Sequence, residues 1–487
     1  MFNPAILPTV GGPQTVAGEM AMGDVVELQK ALTAGYGSDV SQLSGAGALR
    51  IQSLEKTMLS TIQENKHFAL FNELQKTNAT ATVDEWTEQS AVGGFLGGST
   101  NSETGNIAVS QGTYNRRVGL VKYLMTQRQV SFVASLQNSI VEAEAVEQQN
   151  GALQLLTDAE YLCFEGDSNV VTQEFDGIYA QIKANNTDHI LDAAGQSLAS
   201  ISLVDQAASL IAGYGNFGTP THLFMSQLNQ SDFNTNLDPA FRVALTGSAQ
   251  EIMLGAPVKG ISTSWGDIKT VPDVFIRDGN QQQPFEVAFS YLANINSAFQ
   301  PASITASAGA GGADSQWATQ HAGTYYYAVT GINANGQTVS VFSSQITVAA
   351  GQQVTLTISK SSGGTETGYV IYRSRRGGTN SPTDMRQMVR IAAAGASTGT
   401  VSATTTYVDK NADIPGTTKS YMLNMLPTAQ AITWRQFLPM TKFALYPTQS
   451  AVIPWAQMLF GYLRIGKSKH HVVIKNILPS GATWLPF

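Results

Sequence analysis

Histidine and cysteine are the side chains whose spacing would most directly indicate a metal or catalytic site in this chain. The sequence contains six histidines, of which only His470 and His471 are neighbours. Adjacent residues of a strand point to opposite faces, so these two imidazoles are not expected to share a metal ion. The single cysteine, Cys163, excludes an intramolecular disulfide and has no basic neighbour in sequence to activate its thiol. We therefore expect no metal site and a buried structural thiol.

Three further patterns match catalytic or ligand-binding motifs only in part. "GQSLA" around Ser197 lacks one of the two glycines of a nucleophile elbow. The glycine-rich stretch 93–98 lacks the Lys-Ser/Thr ending and the following helix of a phosphate-binding loop. The basic cluster of Arg373, Arg375 and Arg376 is interpreted as a solvated strand end, with a sugar or anion site as the alternative. The sequence thus predicts no enzyme activity and no cofactor.

Length and charge limit the remaining functions. The chain has 487 residues, a formal net charge of −7 and 43% hydrophobic residues, which is material for about three domains. The acidic balance argues against a protein whose main task is to neutralise phosphates, since that task needs a basic face. No segment approaches the ~18 uninterrupted apolar residues of a membrane helix, and "MFNPAILPTVGGP" is a poor secretory signal. We expect a protein that is used without export through a membrane.

Two helices are predicted from apolar residues at helical spacing. The first follows a glycine- and proline-rich arm, and its apolar face consists of Ile51, Leu54, Met58, Leu59 and Ile62. Such a face must be covered, either by the body of the same chain or by a neighbouring copy. The second is a long helix at about 138–165 that ends before Gly166. Four of its residues are predicted to share one face: Val146, Leu153, Leu156 and Cys163.

Between these helices, residues 84–131 have two strand-like flanks around a polar, glycine-rich centre. This pattern is typical of an extended β-hairpin. Long hairpins are marginally stable alone and normally pack on a partner. The second strand carries three cations within seven residues: Arg116, Arg117 and Lys122. We predict that these cations meet acidic groups on another copy of the chain.

From about residue 298 the pattern changes to short alternating strands separated by turns, which is typical of a β-sandwich. Asp314 is the only charged residue between Ala298 and Gln352. After Leu426 the earlier mixture of helix-like and strand-like segments returns. Six residues on the apolar side of the strands are predicted to form the core of this β-module: Tyr325, Tyr327, Val329, Leu356, Ile358 and Ile371.

The order of these features resembles the major capsid proteins of tailed bacteriophages, whose fold is called Hong Kong 97-type. The stretches that carry the resemblance are "GALRIQSLEKTM" (47–58), "YNRRVGLVKYLMTQRQVS" (114–131), "AEYLCFEGDSN…EFDGIYAQI" (159–182) and "FLPMTKFALYPTQSAVIPWAQMLFGYLRI" (437–465). The β-module separately resembles immunoglobulin-like, fibronectin type III-like domains. That resemblance rests on "TYYYAVTGINANG" and "TGYVIYRS", which stand here in the reverse of the usual order.

The first resemblance implies an α+β fold of Hong Kong 97 type, and the second adds an all-β, immunoglobulin-like insertion. Six parts are expected along the chain. They are an N-terminal arm and helix (1–65), an extended hairpin or E-loop region (66–135), a peripheral domain with the spine helix (136–200), an axial domain (201–297), the immunoglobulin-like insertion (298–428) and a C-terminal return to the axial and peripheral domains (429–487).

The resemblance also implies a function. The chain would be a non-enzymatic major capsid protein that assembles with itself, as hexamers and pentamers, into an icosahedral shell around phage double-stranded DNA. Portal, scaffold and cement proteins would be further partners, without sequence-specific DNA binding and without a membrane. The protein would be assembled in the host bacterial cytoplasm and reside in the virion, with the displayed insertion making weak glycan or host-surface contacts. The alternatives are an encapsulin-type nanocompartment shell and a secreted glycan-active protein with an accessory fibronectin-like domain.

Overall fold

A computed structural model describes residues 64–136, 142–198, 201–236, 258–278, 298–447 and 450–487. Two compact units divide the chain, and the larger one, Ile62–Gln137 with Ala143–Phe487, contains nearly all of these residues. The predicted apolar face from Ile51 to Ile62 lies outside the described residues, as does the predicted start of the long helix at 138–141. No helix within the described ranges is long and apolar enough to cross a membrane.

The described residues form six α-helices and a larger set of β-strands, which confirms the predicted α+β class. The helices are α1 (Ala69–Glu73), α2 (Phe132–Leu136), α3 (Ala143–Glu165), α4 (Ile178–Asn185), α5 (Ile201–Ala212) and α6 (Gln227–Asn236). The strands are β1 (Lys76–Asn78), β2 (Val83–Ala91), β3 (Thr113–Leu120), β4 (Lys122–Ser131), β5 (Ile190–Asp192), β6 (His222–Met225), β7 (Gly260–Thr263), β8 (Gly266–Pro272), β9 (Ser303–Ala310), β10 (Gly323–Tyr325), β11 (Tyr327–Asn333), β12 (Gly336–Gln337), β13 (Val341–Phe342), β14 (Ile346–Val348), β15 (Gln352–Ser359), β16 (Gly368–Ser374), β17 (Met385–Ala392), β18 (Thr404–Asp409), β19 (Thr418–Leu423), β20 (Ile432–Ala444), β21 (Val452–Ile465) and β22 (Val472–Ile477).

A four-stranded sheet of order β1-β20-β21-β4 is one of two sheets that form the body, by which we mean the described chain without the hairpin and the β-module. The long strands β20 and β21 pair antiparallel, and β4 pairs along β21. Alternate residues of β21 point to opposite sides. On one side Leu459 and Leu463 are buried in the main hydrophobic core. On the same side Gln457 donates to the main-chain oxygen of Gln148 at 2.8 Å, which places α3 over this face.

A six-stranded sheet of order β5-β22-β19-β6-β8-β7 forms the second layer of the body. Neighbouring residues of its strands enter two different hydrophobic clusters: Tyr421 lies in one and Met422 in the other, so both faces are covered. β19 pairs with β22 on one side and β6 on the other. The predicted insertion (298–428) therefore extends too far, because residues 418–423 form a central strand of the body.

The long helix α3 has a buried side that differs in part from the predicted one. Leu155, Ala159 and Leu162 are buried and recur at spacings of four and three residues, as one helical face requires. Leu153 and Leu156 are only half-buried.

Two glycines of this region are needed for close packing. A Cβ at Gly151 would lie 1.9 Å from Oε1 of Gln457, so a side chain there would displace the Gln457 amide that donates to the main-chain oxygen of Gln148. The helix ends before Gly166, as the sequence predicted. A glycine in this place often serves because it tolerates a positive φ. The φ of Gly166 is not positive, and the reason for glycine is steric: a Cβ would lie 2.3 Å from the carbonyl oxygen of Phe175.

The strands from β9 to β18 form a β-module with its own hydrophobic core. One sheet has the order β18-β15-β9, and another has the order β12-β11-β16-β17 with β13 also paired to β11. Trp317 lies in the core with all six residues that the sequence predicted for it: Tyr325, Tyr327, Val329, Leu356, Ile358 and Ile371. The kinship of this module with immunoglobulin-like domains remains a prediction.

The β-module is fastened to the body by specific contacts. Arg390 of β17 donates to both carboxylate oxygens of Glu174, at 2.8 and 3.0 Å, and to the main-chain oxygen of Glu165 at 3.0 Å. Burial alone would lower the pKa of this guanidinium, but the neighbouring Glu174 carboxylate outweighs burial and raises it. A Cβ at Gly368 would lie 2.5 Å from the side chain of Val170, so the two parts also pack closely.

Candidate functional site

The extended hairpin is covered on only one side by the rest of the described chain. β2 and β3 pair antiparallel from Val83↔Leu120 to Ala91↔Thr113, and residues 92–112 form the tip between them. Along β2, every second residue is half-buried and its neighbours are exposed. One side of the hairpin therefore lies on the body, while the other side and the tip face solvent.

A charged cluster holds the base of the hairpin on the four-stranded sheet. Arg435 of β20 donates to both carboxylate oxygens of Asp84, at 2.8 and 3.0 Å, and the Tyr462 hydroxyl donates to the same carboxylate at 2.6 Å. Burial alone would raise the pKa of Asp84, but the hydrogen bonds from Arg435 and Tyr462 outweigh burial and lower it. A Cβ at Gly119 would lie 2.3 Å from the Tyr462 ring, so β3 crosses this ring in direct contact.

The three cations of the sequence prediction have partners within the chain. Arg116 pairs with Glu85 across the hairpin, and Arg117 pairs with Glu88 at 3.3 Å. The Lys122 ammonium donates to the main-chain oxygen of Thr172. A role for Arg116, Arg117 and Lys122 between subunits remains a prediction, but these side chains do not require a second copy to find a partner.

The hairpin tip exposes an unusual amount of apolar surface. Its sequence between 92 and 112 contains one charged residue, Glu103. Phe95 and Leu96 are 79% and 83% exposed. The other highly exposed apolar residues of the tip are Val92, Ile107 and Val109. Large apolar side chains on a projecting segment are typical of an interaction site.

A second exposed apolar surface lies on the four-stranded sheet, on the side that carries the hairpin base. Direct pairing places Phe460 of β21 beside Tyr123 of β4, Met458 beside Met125, and Ala456 beside Phe443 of β20. Tyr123 and Phe460 meet edge to face, with ring centroids 4.9 Å apart. Tyr123, Met125 and Phe443 are each at least half exposed. We call the surface formed by Tyr123, Met125, Phe443, Met458 and Phe460 the open face.

The sequence did not identify the open face, although part of its signal was present. In β4 the apolar Tyr123 and Met125 alternate with Lys122 and Leu124, which gave no preference for one buried side. Which side of the four-stranded sheet stays exposed is decided by the side that α3 covers. That depends on Gly151 and on strand pairings between residues far apart in sequence, and no local pattern contains it.

The side chains that could have carried chemistry are placed in structural roles. Cys163 is fully buried, and burial raises the pKa of its thiol. The Ser197 hydroxyl donates to Asp232 at 2.6 Å, and the same carboxylate accepts from the Ser480 main chain. His471 is buried, and burial lowers its pKa to about 3.

The interpretation of the basic cluster as a solvated strand end was wrong for one of its three members. Arg373 is 1% exposed and pairs with the fully buried Asp409 at 2.6 Å. Its guanidinium also lies 4.7 Å from the centre of the Trp317 ring. Arg375 pairs with Asp384 at 2.7 Å. Arg373 therefore belongs to the interior of the β-module and is not available to a sugar or anion.

In sequence, the chain is similar to proteins of bacteriophages. No family model matches it. Over 93% of its length it is 22% identical to the "Major capsid protein" of Staphylococcus phage S25-3, of which the match covers 95%. It is 28% identical over 251 residues to a protein of Enterococcus phage phiEF24C whose name also describes a major capsid protein; this match spans 50% of the chain and 53% of that relative.

Among solved structures, the chain is similar to the SrpI encapsulin from Synechococcus elongatus PCC 7942. The two share 10% sequence identity with a TM-score of 0.42, over 93% of this chain and 100% of that one. The nearly full-length match in sequence to the phage proteins is the comparison that bears on function.

Proposed function

We infer that the chain is a phage major capsid protein, from the match in sequence that extends over nearly its whole length. Its function is then one of interfaces between copies rather than of catalysis. The extended hairpin, the long helix, an α/β region and the returning strands follow one another along the chain, which supports the Hong Kong 97-type resemblance.

We propose that assembly uses the hairpin tip and the open face as complementary surfaces on two copies of the chain. The single observation that carries this proposal is the exposure of both surfaces: Phe95 and Leu96 on the tip and Met125 and Phe443 on the sheet are each more than half exposed. The five residues of the open face are uncharged, and the tip carries only Glu103. Covering two such apolar surfaces by one another releases water from both, at about 25 cal/mol per Å² of apolar area.

The finer parts of the function are proposals that rest on the resemblance. The copies would form hexamers and pentamers of an icosahedral shell around double-stranded DNA, with portal, scaffold and cement proteins as further partners. The net charge of −7 supports enclosure without tight binding, because such a shell does not neutralise every phosphate. The protein would be assembled in the host cytoplasm. The β-module would be displayed on the shell, where it would make weak glycan contacts.

A substitution in the tip tests the assembly proposal. Phe95→Ser with Leu96→Ser removes the largest apolar side chains of the tip, and we expect soluble subunits that do not form closed shells in negative-stain images. Phe95→Leu with Leu96→Met keeps the tip apolar and is the matched control, which should assemble. Closed shells of normal yield from the serine variant would contradict the proposal. Nucleic acid inside nuclease-treated particles would distinguish a phage shell from a nanocompartment that holds protein cargo.

A further inference from the structure

Two carboxyl side chains are buried side by side in the core of the body, where the function just proposed gives them no role. Glu160 of α3 has no exposed surface, and Asp273, which directly follows β8, is 1% exposed. The two side chains lie within hydrogen-bonding distance of each other, and the N–H of Leu70 is close to both carboxyls. A buried charge is costly unless it is paired, so a pair of acidic groups in this position requires an explanation.

Main-chain groups hold both carboxyls in place. The two oxygens of Glu160 accept from the main-chain N–H groups of Leu70 at 2.7 Å and Phe71 at 2.8 Å, in the first turn of α1. Oδ1 of Asp273 accepts from the N–H of Phe275 at 2.8 Å. Oδ2 of Asp273 is buried without any donor among the groups that the structure describes. A proton on one of the two carboxyls would supply the missing donor.

The charged groups around the pair are few and are engaged elsewhere. Glu73, the one titratable side chain of α1, pairs with Lys269 of β8 and His222 of β6. On α3 the Cys163 thiol is close enough to sense both carboxyls, and its pKa is raised by burial and then by Glu160 and Asp273. Within the described residues, no basic side chain forms an ion pair with either carboxyl. The pair therefore lacks a cation that would stabilise two negative charges.

We propose that Glu160 and Asp273 share one proton, and that this proton makes the attachment of α1 to the long helix α3 sensitive to pH. With the proton present, one carboxylic acid donates to the other carboxylate, and Glu160 still accepts from Leu70 and Phe71. When hydroxide removes the proton to form water, two carboxylates repel each other in the core. The short helix α1 is the attachment that gives way, because two hydrogen bonds to Glu160 hold its first turn.

The direction of the pH dependence follows from the direction of the shift. Burial, and then the neighbouring Asp273, raise the pKa of Glu160 well above its usual value, and burial raises the pKa of Asp273. The folded chain therefore keeps a proton that the unfolded chain has already lost at neutral pH. Its stabilising contribution is complete below the usual carboxyl pKa and is lost as the pH rises through the raised value. α1 leads through β1 into the extended hairpin, so its release would loosen the segment that enters the hairpin.

Hydrogen exchange of the full-length protein tests this inference. We expect the protection factors of the Leu70 and Phe71 amides to fall between pH 6 and pH 9.5, by up to tenfold per pH unit above the raised pKa, as loss of one proton requires. Amides of β22 in the second sheet should keep their protection and serve as the internal reference. Constant protection of Leu70 and Phe71 over this range would overturn the proposal.

Two variants separate a shared proton from simple packing. In Asp273→Asn the introduced amide donates permanently to Glu160 and its oxygen still accepts from Phe275, so protection of α1 should be retained and independent of pH. In Glu160→Gln an NH₂ group must face the N–H of Leu70 or Phe71, so protection should be reduced already at pH 6. The same fall with pH in Asp273→Asn as in the native chain would overturn the proposal.

An infrared measurement on the native protein does not depend on how the variants fold. At neutral pH we expect the carbonyl stretch of a protonated, buried carboxyl, and this band should disappear over the pH range in which α1 loses protection. Absence of the band at neutral pH would overturn the proposal. None of these measurements requires assembly, so their outcome is independent of whether the chain forms a shell.

Discussion

The hairpin tip and the β-module are both additions to the two-sheet body, and they differ in what they bury. In the module, Leu356 and Ile358 of β15 alternate with polar neighbours and lie in a closed core with Trp317. In the tip, Phe95 and Leu96 are flanked by pairs of glycines and remain exposed. A segment whose apolar residues alternate over several strands can cover its own apolar side, whereas a segment with isolated apolar residues among glycines needs another surface.

The hairpin and the β-module are attached to the body by the same kind of ion pair. The difference between them therefore lies in the parts that project from these attachments. Asp84 holds the hairpin through a bidentate pair with Arg435, and Arg390 holds the module through a bidentate pair with Glu174. Bidentate pairs of this kind fix orientation as well as position. The module is thus a folded unit held in a fixed orientation on the body. The tip projects from an equally fixed hairpin base, but its apolar side chains remain uncovered.

The comparison is tested most strongly inside the module, at Asp409. This carboxylate accepts from Arg373 at 2.6 Å, from the Tyr327 hydroxyl at 2.8 Å and from the Asn411 main chain at 2.7 Å. Asp409→Ala leaves the guanidinium of Arg373 buried without its counter-charge, which typically costs about 3–5 kcal/mol. We expect the module to lose that much of its free energy of unfolding, measured by hydrogen exchange of the β15 and β16 amides.

The control for Asp409 is Asp314, which pairs with Lys410 at 3.1 Å and is 79% exposed. Asp314→Ala should change the free energy of unfolding by about 0–1 kcal/mol, as is usual for exposed pairs. Equal effects of the two substitutions would show that the buried network does not stabilise the module.

Arg373 also shows where reasoning from the sequence failed. Its neighbours Arg375 and Arg376 made a solvated strand end the natural interpretation, and the local pattern of β16 gave no reason to separate the three. What buries Arg373 is Asp409 on β18, together with Trp317 and Tyr325 from other segments. A long-range partner of this kind leaves no trace in the spacing around the arginine.

A second test compares two leucines of the same size, one in each region. Leu356 is fully buried, and Leu356→Ala should cost about 2–5 kcal/mol of module stability, through lost burial and the cavity that remains. Leu96 is 83% exposed, and Leu96→Ala should leave the stability of the subunit within about 0.5 kcal/mol. Denaturant or exchange measurements on unassembled subunits suffice for both. A large loss of subunit stability from Leu96→Ala would mean that the tip packs on its own chain.

The features that could be predicted from the sequence depend on consecutive residues, and those that could not depend on contacts between distant segments. The core position of Leu356 and Ile358 follows from alternation, which is a property of consecutive residues. The end of the insertion does not, because β19 is assigned to the body by its pairing with β6 and β22, which lie far from it in sequence. The intrachain partners of Arg116 and Arg117 could have been predicted from the hairpin. Pairing its two strands places Arg117 beside Trp86 and near Glu85 and Glu88.

The last prediction concerns the two hairpin arginines, Arg116 and Arg117. Arg116→Glu with Arg117→Glu places like charges beside Glu85 and Glu88. The exposed Arg116–Glu85 pair is worth about 0–1 kcal/mol. The Arg117–Glu88 pair is less exposed and contributes more, but we expect the subunit to remain folded and soluble. We predict that this variant assembles poorly in negative-stain images, because each pair is repeated in every copy of the shell. Normal shells from this variant would show that the charges of Arg116 and Arg117 are not needed for assembly.

Whether the arginines act within the chain or between copies is decided by reversing their partners as well. Adding Glu85→Arg and Glu88→Arg to the charge-reversed variant offers both intrachain pairs with opposite polarity, without changing the apolar residues of the tip. Glu88→Arg also removes the hydrogen bonds that Glu88 accepts from Ser468, so Glu88→Arg alone is the control for that loss. If assembly returns, Arg116 and Arg117 serve to keep the two hairpin strands in register, and the contact between copies is apolar. If the subunits stay folded but still fail to assemble, the sign of the charge on β3 matters to a second copy. The predicted acidic partners must then lie on that copy. The exchange protection of β2 and β3 amides distinguishes restored pairing from a hairpin that has separated.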